Sequence, residues 1–124
     1  YSGVISIFTQ RAQQGMPIRV FGDGEQTRDF FYIGDLVDVL MQALTAPVIE
    51  HGAVNVGWSQ AVSLNHLLSE IGVLLGGLPE VTYQAPRAGD IRHSRANNAR
   101  LLERFTLAAP TSIGDGLAQL LRSL

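Results

Sequence analysis

The feature that most constrains this chain is a series of segments whose apolar residues recur at helical spacing. The clearest segment follows Ser63, a good helix N-cap residue, and is stopped by the pair Gly76-Gly77. Its apolar positions share one face of a helix and are Leu64, Leu67, Leu68, Ile71, Leu74 and Leu75. A stripe of this width must be buried, so this segment is predicted to be a core helix.

Two more helices are predicted in the first half of the chain. Residues 4–12 show helical apolar spacing, and Gly15 and Pro17 end that segment. A second apolar stripe covers residues 36–44, and Asp35 is its predicted N-cap. Both segments are long enough for two or more helical turns.

The rest of the chain combines helices with short extended segments. Ser112 and Asp115 form a capping box that opens a last helix, and residues 98–104 predict a short one. The β-prone or extended segments are residues 18–21, 28–33, 53–56 and 81–83. No repeat or linker divides residues 1–124, so the prediction is one mixed, helix-rich α/β domain.

Two absent residue types exclude several kinds of chemistry. The chain has no cysteine, which removes disulfides, thiolate nucleophiles and cysteine metal sites. It also has no lysine, since all nine basic residues are arginine, so Schiff-base chemistry and a Tyr/Lys catalytic pair are impossible within it. The net charge of −2 and the lack of an apolar stretch of about 20 residues argue against nucleic-acid binding and membrane spanning. The start at Tyr1, without methionine or signal peptide, suggests a piece of a longer protein.

Two motifs carry a family resemblance. The segment GDGEQTRDFFYIGDL covers residues 22–36, and PRAGDIRHS covers residues 86–94. Together they resemble the C-terminal part of the NAD-dependent epimerase/dehydratase family, the extended short-chain dehydrogenases such as UDP-glucose 4-epimerase. The helix start at residues 1–5, the NVG at 55–57 and the closing helix at 111–124 are similar to the same family.

The resemblance implies a substrate-binding domain without its catalytic partner. Full enzymes of the family add an N-terminal Rossmann domain, with a GxxGxxG loop for NAD and a Tyr-x-x-x-Lys pair, and this chain has neither. We therefore expect no cofactor in this chain, NAD in its full-length parent, and no catalysis by the chain alone. The resemblance further implies a cytoplasmic enzyme of nucleotide-sugar metabolism, as in polysaccharide precursor synthesis. The face that would pack against the missing domain is then exposed, and two copies of the fragment could associate through it.

The resemblance assigns the nucleotide diphosphate to two arginines. It implies that Arg28 and Arg87 hold the phosphates, because a guanidinium fork pairs two phosphate oxygens. It implies that Asp90 accepts from the ribose hydroxyls and that Gly89 allows the tight loop. The alternatives are a surface ion pair of Arg28 with Asp29 or Glu25, and an internal Arg87–Asp90 pair.

Four other residues match substrate-contacting positions of the family. Arg19 and Phe21 match the strand that lines the uracil pocket, and Phe30 matches an aromatic near the sugar phosphate. Phe21 and Phe30 could equally be core residues. Ser94 matches a position beside the sugar, where a small residue would leave room for a 2-acetamido group.

The histidines do not predict a catalytic or metal site. His93 lacks a partner serine or a paired carboxylate at a convincing spacing, and His51 and His66 lack companions that could share a metal ion. Two alternatives to an epimerase part stay open at this point. One is a sugar-nucleotide dehydratase or reductase of the same superfamily, and the other is a stand-alone binding module.

Overall fold

The computed structural model describes residues 3–47 and 52–124, and His51 lies outside them. In these residues the predicted helix-rich α/β fold is confirmed. The elements are α1 (Val4–Gln13), β1 (Ile18–Phe21), β2 (Thr27–Arg28), α2 (Ile33–Thr45), β3 (Val62–Ser63), α3 (Leu64–Leu75), β4 (Val81–Gln84), α4 (Ala99–Arg104) and α5 (Ile113–Ser123).

The strands form two small sheets. β1 pairs with β4 in parallel, from Ile18 opposite Val81 to Phe21 opposite Gln84. β2 pairs with β3 antiparallel, with Thr27 opposite Ser63. Since the carboxyl ends of parallel strands meet at one edge, the segments after β1 and β4 leave the sheet side by side.

The core is built around α3, as its apolar stripe predicts. Leu67 and Ile71 are fully buried, and α3 packs against both α1 and α5. Ile18 and Val20 of β1 complete the same cluster. Burial of each such aliphatic side chain is worth about 1.5–3 kcal/mol, so this cluster supplies much of the folding free energy.

The predicted caps of α3 and α5 are confirmed. The Ser63 hydroxyl accepts a hydrogen bond from the His66 amide at 3.1 Å, and Gly76 ends α3 in the left-handed region with φ of 75°. The Ser112 hydroxyl accepts from the Asp115 amide at 3.1 Å. These side chains satisfy amide groups that the first turn of a helix leaves free.

Two local predictions are wrong. Asp35 is not an N-cap, because the chain enters α2 at Ile33 and Tyr32 takes the cap position. Residues 53–56 are irregular rather than a buried strand, and Val56 is 37% exposed. A strand needs a paired neighbour, and within the described residues no strand lies beside this segment.

Helix α2 turns its apolar side outward. Val39 is its one buried residue in the described structure, and its inner side is held by polar groups. Asp35 accepts hydrogen bonds from Thr111 and Trp58, and Gln42 exchanges two with the backbone of Thr106. The exposed side carries a stripe that we call the α2 stripe: Ile33, Val37, Leu40, Met41 and Leu44. Among the described residues, none of the helices has the length and apolar character needed to cross a bilayer.

Candidate ligand-binding site

One open pocket of about 760 Å³ gathers most of the predicted site residues. Four arginines line it, with Asp90 as the one carboxylate in its described lining. The arginines of this site, the arginine pocket, are Arg11, Arg19, Arg28 and Arg87. In a chain whose net charge is −2, this concentration of positive charge favours an anionic ligand.

The β1–β4 sheet sets the geometry of the pocket. Side chains alternate along β1, so Ile18 and Val20 enter the core while Arg19 and Phe21 share the opposite face. Phe21 is the last residue of β1, and its partner Gln84 is the last residue of β4. The loop after Gln84 therefore starts beside the Phe21 ring.

That loop brings Arg87 over Phe21. The guanidinium carbon of Arg87 lies 3.7 Å from the centre of the Phe21 ring, which is a cation–π contact. Gly89 has φ of 81°, a conformation that other residues rarely adopt, so the prediction that this glycine permits the tight loop is confirmed. The turn is closed by the Asp90 amide, which donates to the Arg87 carbonyl at 3.2 Å.

Arg28 reaches the same loop from β2. Its Nη1 donates to the carbonyls of Thr27 and Ile91, both at 2.8 Å, and its Nη2 lies 3.4 Å from a carboxylate oxygen of Asp90. The structure thus brings together Arg28 and Asp90, which are 62 residues apart. It does not contain the alternative ion pairs of Arg28 with Asp29 or Glu25, nor one between Arg87 and Asp90.

Hydrogen bonds join the loop to β2 next to Arg28. Thr27 donates its amide to the Arg92 carbonyl at 2.9 Å and accepts from the Ser94 amide at 3.1 Å. The Thr27 hydroxyl also lies 2.9 Å from Nδ1 of His93. His93 thus has a local partner that supports loop structure.

An ion pair beside the pocket fixes the other side of the loop. Arg92 donates through both terminal nitrogens to the two carboxylate oxygens of Asp23, at 2.6 and 2.9 Å. The hydrogen bond from Arg92, with a second from the Glu25 amide, lowers the pKa of Asp23 to about 2. The same hydrogen bond raises the pKa of Arg92.

Two of the seven predicted site residues lie elsewhere. Phe30 packs against the core cluster and lines a separate apolar cavity of about 410 Å³, with Phe31 and Trp58. Ser94 is exposed and does not line the arginine pocket.

Sequence reasoning did not identify three residues that shape this region. Arg11 projects from α1 into the pocket, and no motif marks it. Gln26 is 6% exposed and donates to the Phe21 carbonyl at 2.6 Å, which holds the end of β1. Asp29 accepts hydrogen bonds from the amides of Trp58, Ser59 and Ala96, at 2.9–3.1 Å. The one indication in the sequence that Asp29 has such a role was its position inside the first motif.

Comparison with known proteins supports the resemblance. A sequence model of the NAD dependent epimerase/dehydratase family matches residues 1–57. A UDP-glucose 4-epimerase of Mycolicibacterium smegmatis is 31% identical over 118 residues, which is 95% of this chain and 37% of that protein. Other relatives are named as a dTDP-4-dehydro-6-deoxyglucose reductase of Escherichia coli and a UDP-N-acetyl-alpha-D-glucosaminuronate decarboxylase of Bacillus cytotoxicus.

Solved structures match over nearly the whole chain. UDP-glucose 4-epimerase of Thermotoga maritima with UDP-glucose is 30% identical, with a TM-score of 0.84 over 98% of this chain and 38% of its own. MoeE5 in complex with UDP-glucuronic acid and NAD is 34% identical, with a TM-score of 0.83 over 99% of this chain and 42% of its own. The chain therefore spans about two fifths of the length of these proteins.

The described residues do not fit NAD. A dinucleotide site needs a strand that runs through a glycine-rich turn into a helix. Here Gly22 and Gly24 connect β1 to β2, and β3 enters α3 directly at Ser63 without a glycine. On its two motifs, its fold and these matches, the chain belongs to the NAD-dependent epimerase/dehydratase family.

Proposed function

We propose that this chain is the part of an NAD-dependent sugar-nucleotide 4-epimerase that binds the nucleotide diphosphate of the substrate. The observation that carries the proposal is the convergence of Arg28 and Arg87, from the two family motifs, on one cationic pocket. The two guanidiniums suit a diphosphate, because each can pair with two phosphate oxygens.

The other pocket residues match the rest of a nucleotide. Phe21 offers an aromatic face and Arg19 a neighbouring cation for a base, which we assign as uracil. The Asp90 carboxylate is a natural acceptor for the two hydroxyls of a ribose. Phe30 and Ser94 lie outside this pocket, and only the family resemblance assigns them to the sugar end, where the small Ser94 would favour N-acetylhexosamine substrates.

Chemistry is assigned to a part that this chain does not contain. The chain has no lysine for the family's catalytic pair, and its described residues do not fit NAD. Its contribution is binding energy and orientation for a sugar that reacts elsewhere. We expect the chain alone to be catalytically silent and to bind UDP with a Kd on the order of millimolar.

The α2 stripe is assigned to the missing Rossmann domain. The five apolar side chains lie at helical spacing on the side of α2 that the described residues leave uncovered. The relatives are more than twice as long as this chain, which leaves ample structure to cover them. Without that cover, the same stripe would pair two copies of this chain.

A second candidate is a dehydratase, reductase or decarboxylase part of the same superfamily. It is favoured by relatives of similar identity that are named as a reductase and a decarboxylase. All these enzymes act on nucleotide-diphosphate sugars, so the role proposed for the arginine pocket is the same. Cytoplasmic nucleotide-sugar metabolism is the setting we propose for either.

The test is an NMR titration of this chain with UDP. Arg87→Ala is the informative variant, because Arg87 contacts the Phe21 ring, whereas Arg28 also holds two backbone carbonyls. Loss of a charge-assisted phosphate contact of about 1.5–3 kcal/mol should weaken UDP binding by at least tenfold. Arg122→Ala, which removes an equal charge from the exposed end of α5, should leave the Kd unchanged.

Saturable shifts centred on Phe21, Gly89 and Asp90 would support the proposal. An absence of shifts at several millimolar UDP, or equal weakening by Arg87→Ala and Arg122→Ala, would contradict it. Addition of the Rossmann part of a relative would then show whether the pocket needs that domain to form. If UDP still failed to bind, the alternative interpretation, that the chain is a stand-alone module with another function, would replace the proposal.

A further inference from the structure

We infer that the phosphate-binding arginines of the arginine pocket are held by other residues of the same pocket, and that Asp90 and Phe21 thereby select nucleotides over bare phosphates. Each proposed phosphate-binding arginine is paired with the residue proposed to hold the nucleoside. Arg28 is paired with Asp90, and Arg87 is stacked on Phe21. The inference rests on the proposed function and adds a rule for which anions can enter.

The hydrogen bonds of Arg28 show which of its groups are free to exchange. A guanidinium carries five N–H donors. The two on Nη1 are used by the carbonyls of Thr27 and Ile91 at 2.8 Å, which fix the side chain in place. Nε and Nη2 are left for a phosphate, and a carboxylate oxygen of Asp90 lies 3.4 Å from Nη2. A phosphate that binds to both nitrogens therefore competes with Asp90 for Nη2.

Arg87 is held back in a different way. Its guanidinium carbon lies 3.7 Å from the centre of the Phe21 ring, so the guanidinium covers one face of that ring. A base that stacks on this face must displace Arg87. The displaced arginine remains in the pocket, where its guanidinium can bind the phosphates of the same ligand.

Both pairs are weak enough to be exchanged. The Arg28 and Asp90 side chains are 29% and 39% exposed, so water screens their attraction. A nucleotide supplies a replacement for each partner: ribose hydroxyls donate to Asp90, and the base covers Phe21. Pyrophosphate supplies neither, so it must leave Asp90 and Phe21 without partners. The nucleoside and diphosphate halves of a ligand are therefore expected to bind cooperatively.

The experiment compares UDP with pyrophosphate as ligands of this chain. Asp90→Asn removes the carboxylate that competes for Arg28, and Phe21→Leu removes the ring that holds Arg87 while keeping an apolar side chain. Each variant should bind pyrophosphate about threefold to tenfold more tightly and UDP no more tightly than before. The preference for UDP over pyrophosphate should fall about tenfold in each.

A charge-matched control separates this effect from general electrostatics. Glu25→Gln also removes one negative charge near the loop, but Glu25 contacts Asn65 and not Arg28. Its preference for UDP over pyrophosphate should stay within twofold of that of the unchanged chain. As a second readout, the Nε–H signals of Arg28 and Arg87 should shift in Asp90→Asn and Phe21→Leu, respectively, before any ligand is added.

The outcomes distinguish this inference from the proposed function. If UDP binds but pyrophosphate binding is the same in all variants, the internal pairs do not govern selection and the inference is wrong. If UDP fails to bind while both variants gain affinity for pyrophosphate, the internal pairs are real but the nucleotide function is wrong. If neither ligand binds to any form, both are overturned.

Discussion

Carboxylates in two regions of this molecule have opposite roles. Near α2, Asp29 and Asp35 are half-buried and accept hydrogen bonds from backbone amides and the Trp58 indole. Beside the arginine pocket, Asp90 and Asp23 are exposed and pair with arginine side chains. The first kind has a fixed partner set that joins distant segments, whereas the second can exchange its partner for a ligand or for water.

The difference shows how the sequence divides structural from binding roles. Asp29 joins β2 to the segments around Trp58 and Ala96, and Gly57 makes room for it, since a Cβ there would lie 2.7 Å from its carboxylate. Asp90 joins a loop to β2 by one long contact. Removing the acceptor of a desolvated amide lowers the free energy of unfolding more than breaking an exposed ion pair does, because the groups of the exposed pair can bind water instead.

The largest expected effect is on stability. Asp29→Ala leaves three part-buried amides without their acceptor, so the free energy of unfolding should fall by about 3 kcal/mol. Asp90→Ala should lower it by about 0–1 kcal/mol, because the lost pair is solvent-exposed. Urea unfolding followed by circular dichroism measures both. Equal losses in the two variants would show that the two kinds of carboxylate do not differ.

A smaller effect concerns the surface that Asp35 helps to orient. Because Leu40 and Met41 are exposed, replacing both by glutamine should change the free energy of unfolding by no more than about 0.5 kcal/mol. The same double variant should abolish any self-association of the chain, since the α2 stripe is the proposed contact. Sedimentation velocity over a range of concentrations measures this. Val73→Gln, at a position 76% exposed on α3, is the control and should leave the association unchanged.

If the unchanged chain stays monomeric at every concentration, the prediction of self-association is wrong. The assignment of the stripe to a missing domain can then be tested separately. A Rossmann domain added in trans should bind the unchanged chain and the Val73→Gln control, and should fail to bind the double variant.

The helices and their caps could be predicted from the sequence because their causes are local. Ser63, Gly76 and Ser112 act on groups within one helical turn, and the prediction at each was confirmed. The prediction for Asp35 was wrong because its carboxylate is used by Thr111, 76 residues away, and the helix starts before it. The strand predicted for residues 53–56 failed because a pattern of apolar residues does not show whether a neighbouring strand exists.

The candidate site was predictable in its parts but not in its arrangement. The motifs marked Arg28, Arg87 and Asp90, and the structure places all three around one pocket. The pairing of Arg28 with Asp90, and of Arg87 with Phe21, depends on the parallel β1–β4 contact between distant segments. Arg11 enters from a helix outside both motifs. Likewise, the spacing of the α2 stripe predicts an apolar face but not that this face is turned away from the core.

The smallest expected effect tests whether the exposed pairs can truly exchange. The pKa of Asp23 is lowered from 3.8 to about 2 by its hydrogen bonds from Arg92 and the Glu25 amide. A carboxyl whose pKa is lower in the folded chain than in the unfolded chain stabilises the fold above the unfolded value, and this contribution is lost as the pH falls from about 4 to 2. An NMR titration of the Asp23 carboxyl carbon should therefore show a midpoint near 2, and Arg92→Gln should return it toward 3.8. In the same titration, amide signals around Trp58 should stay in place until the chain unfolds, because protonation of Asp23 frees a loop and leaves the Asp29 contacts intact. Movement of the Trp58 and Asp23 signals together would mean that the loop and the α2 region unfold as one unit, and the division between the two kinds of carboxylate would fail.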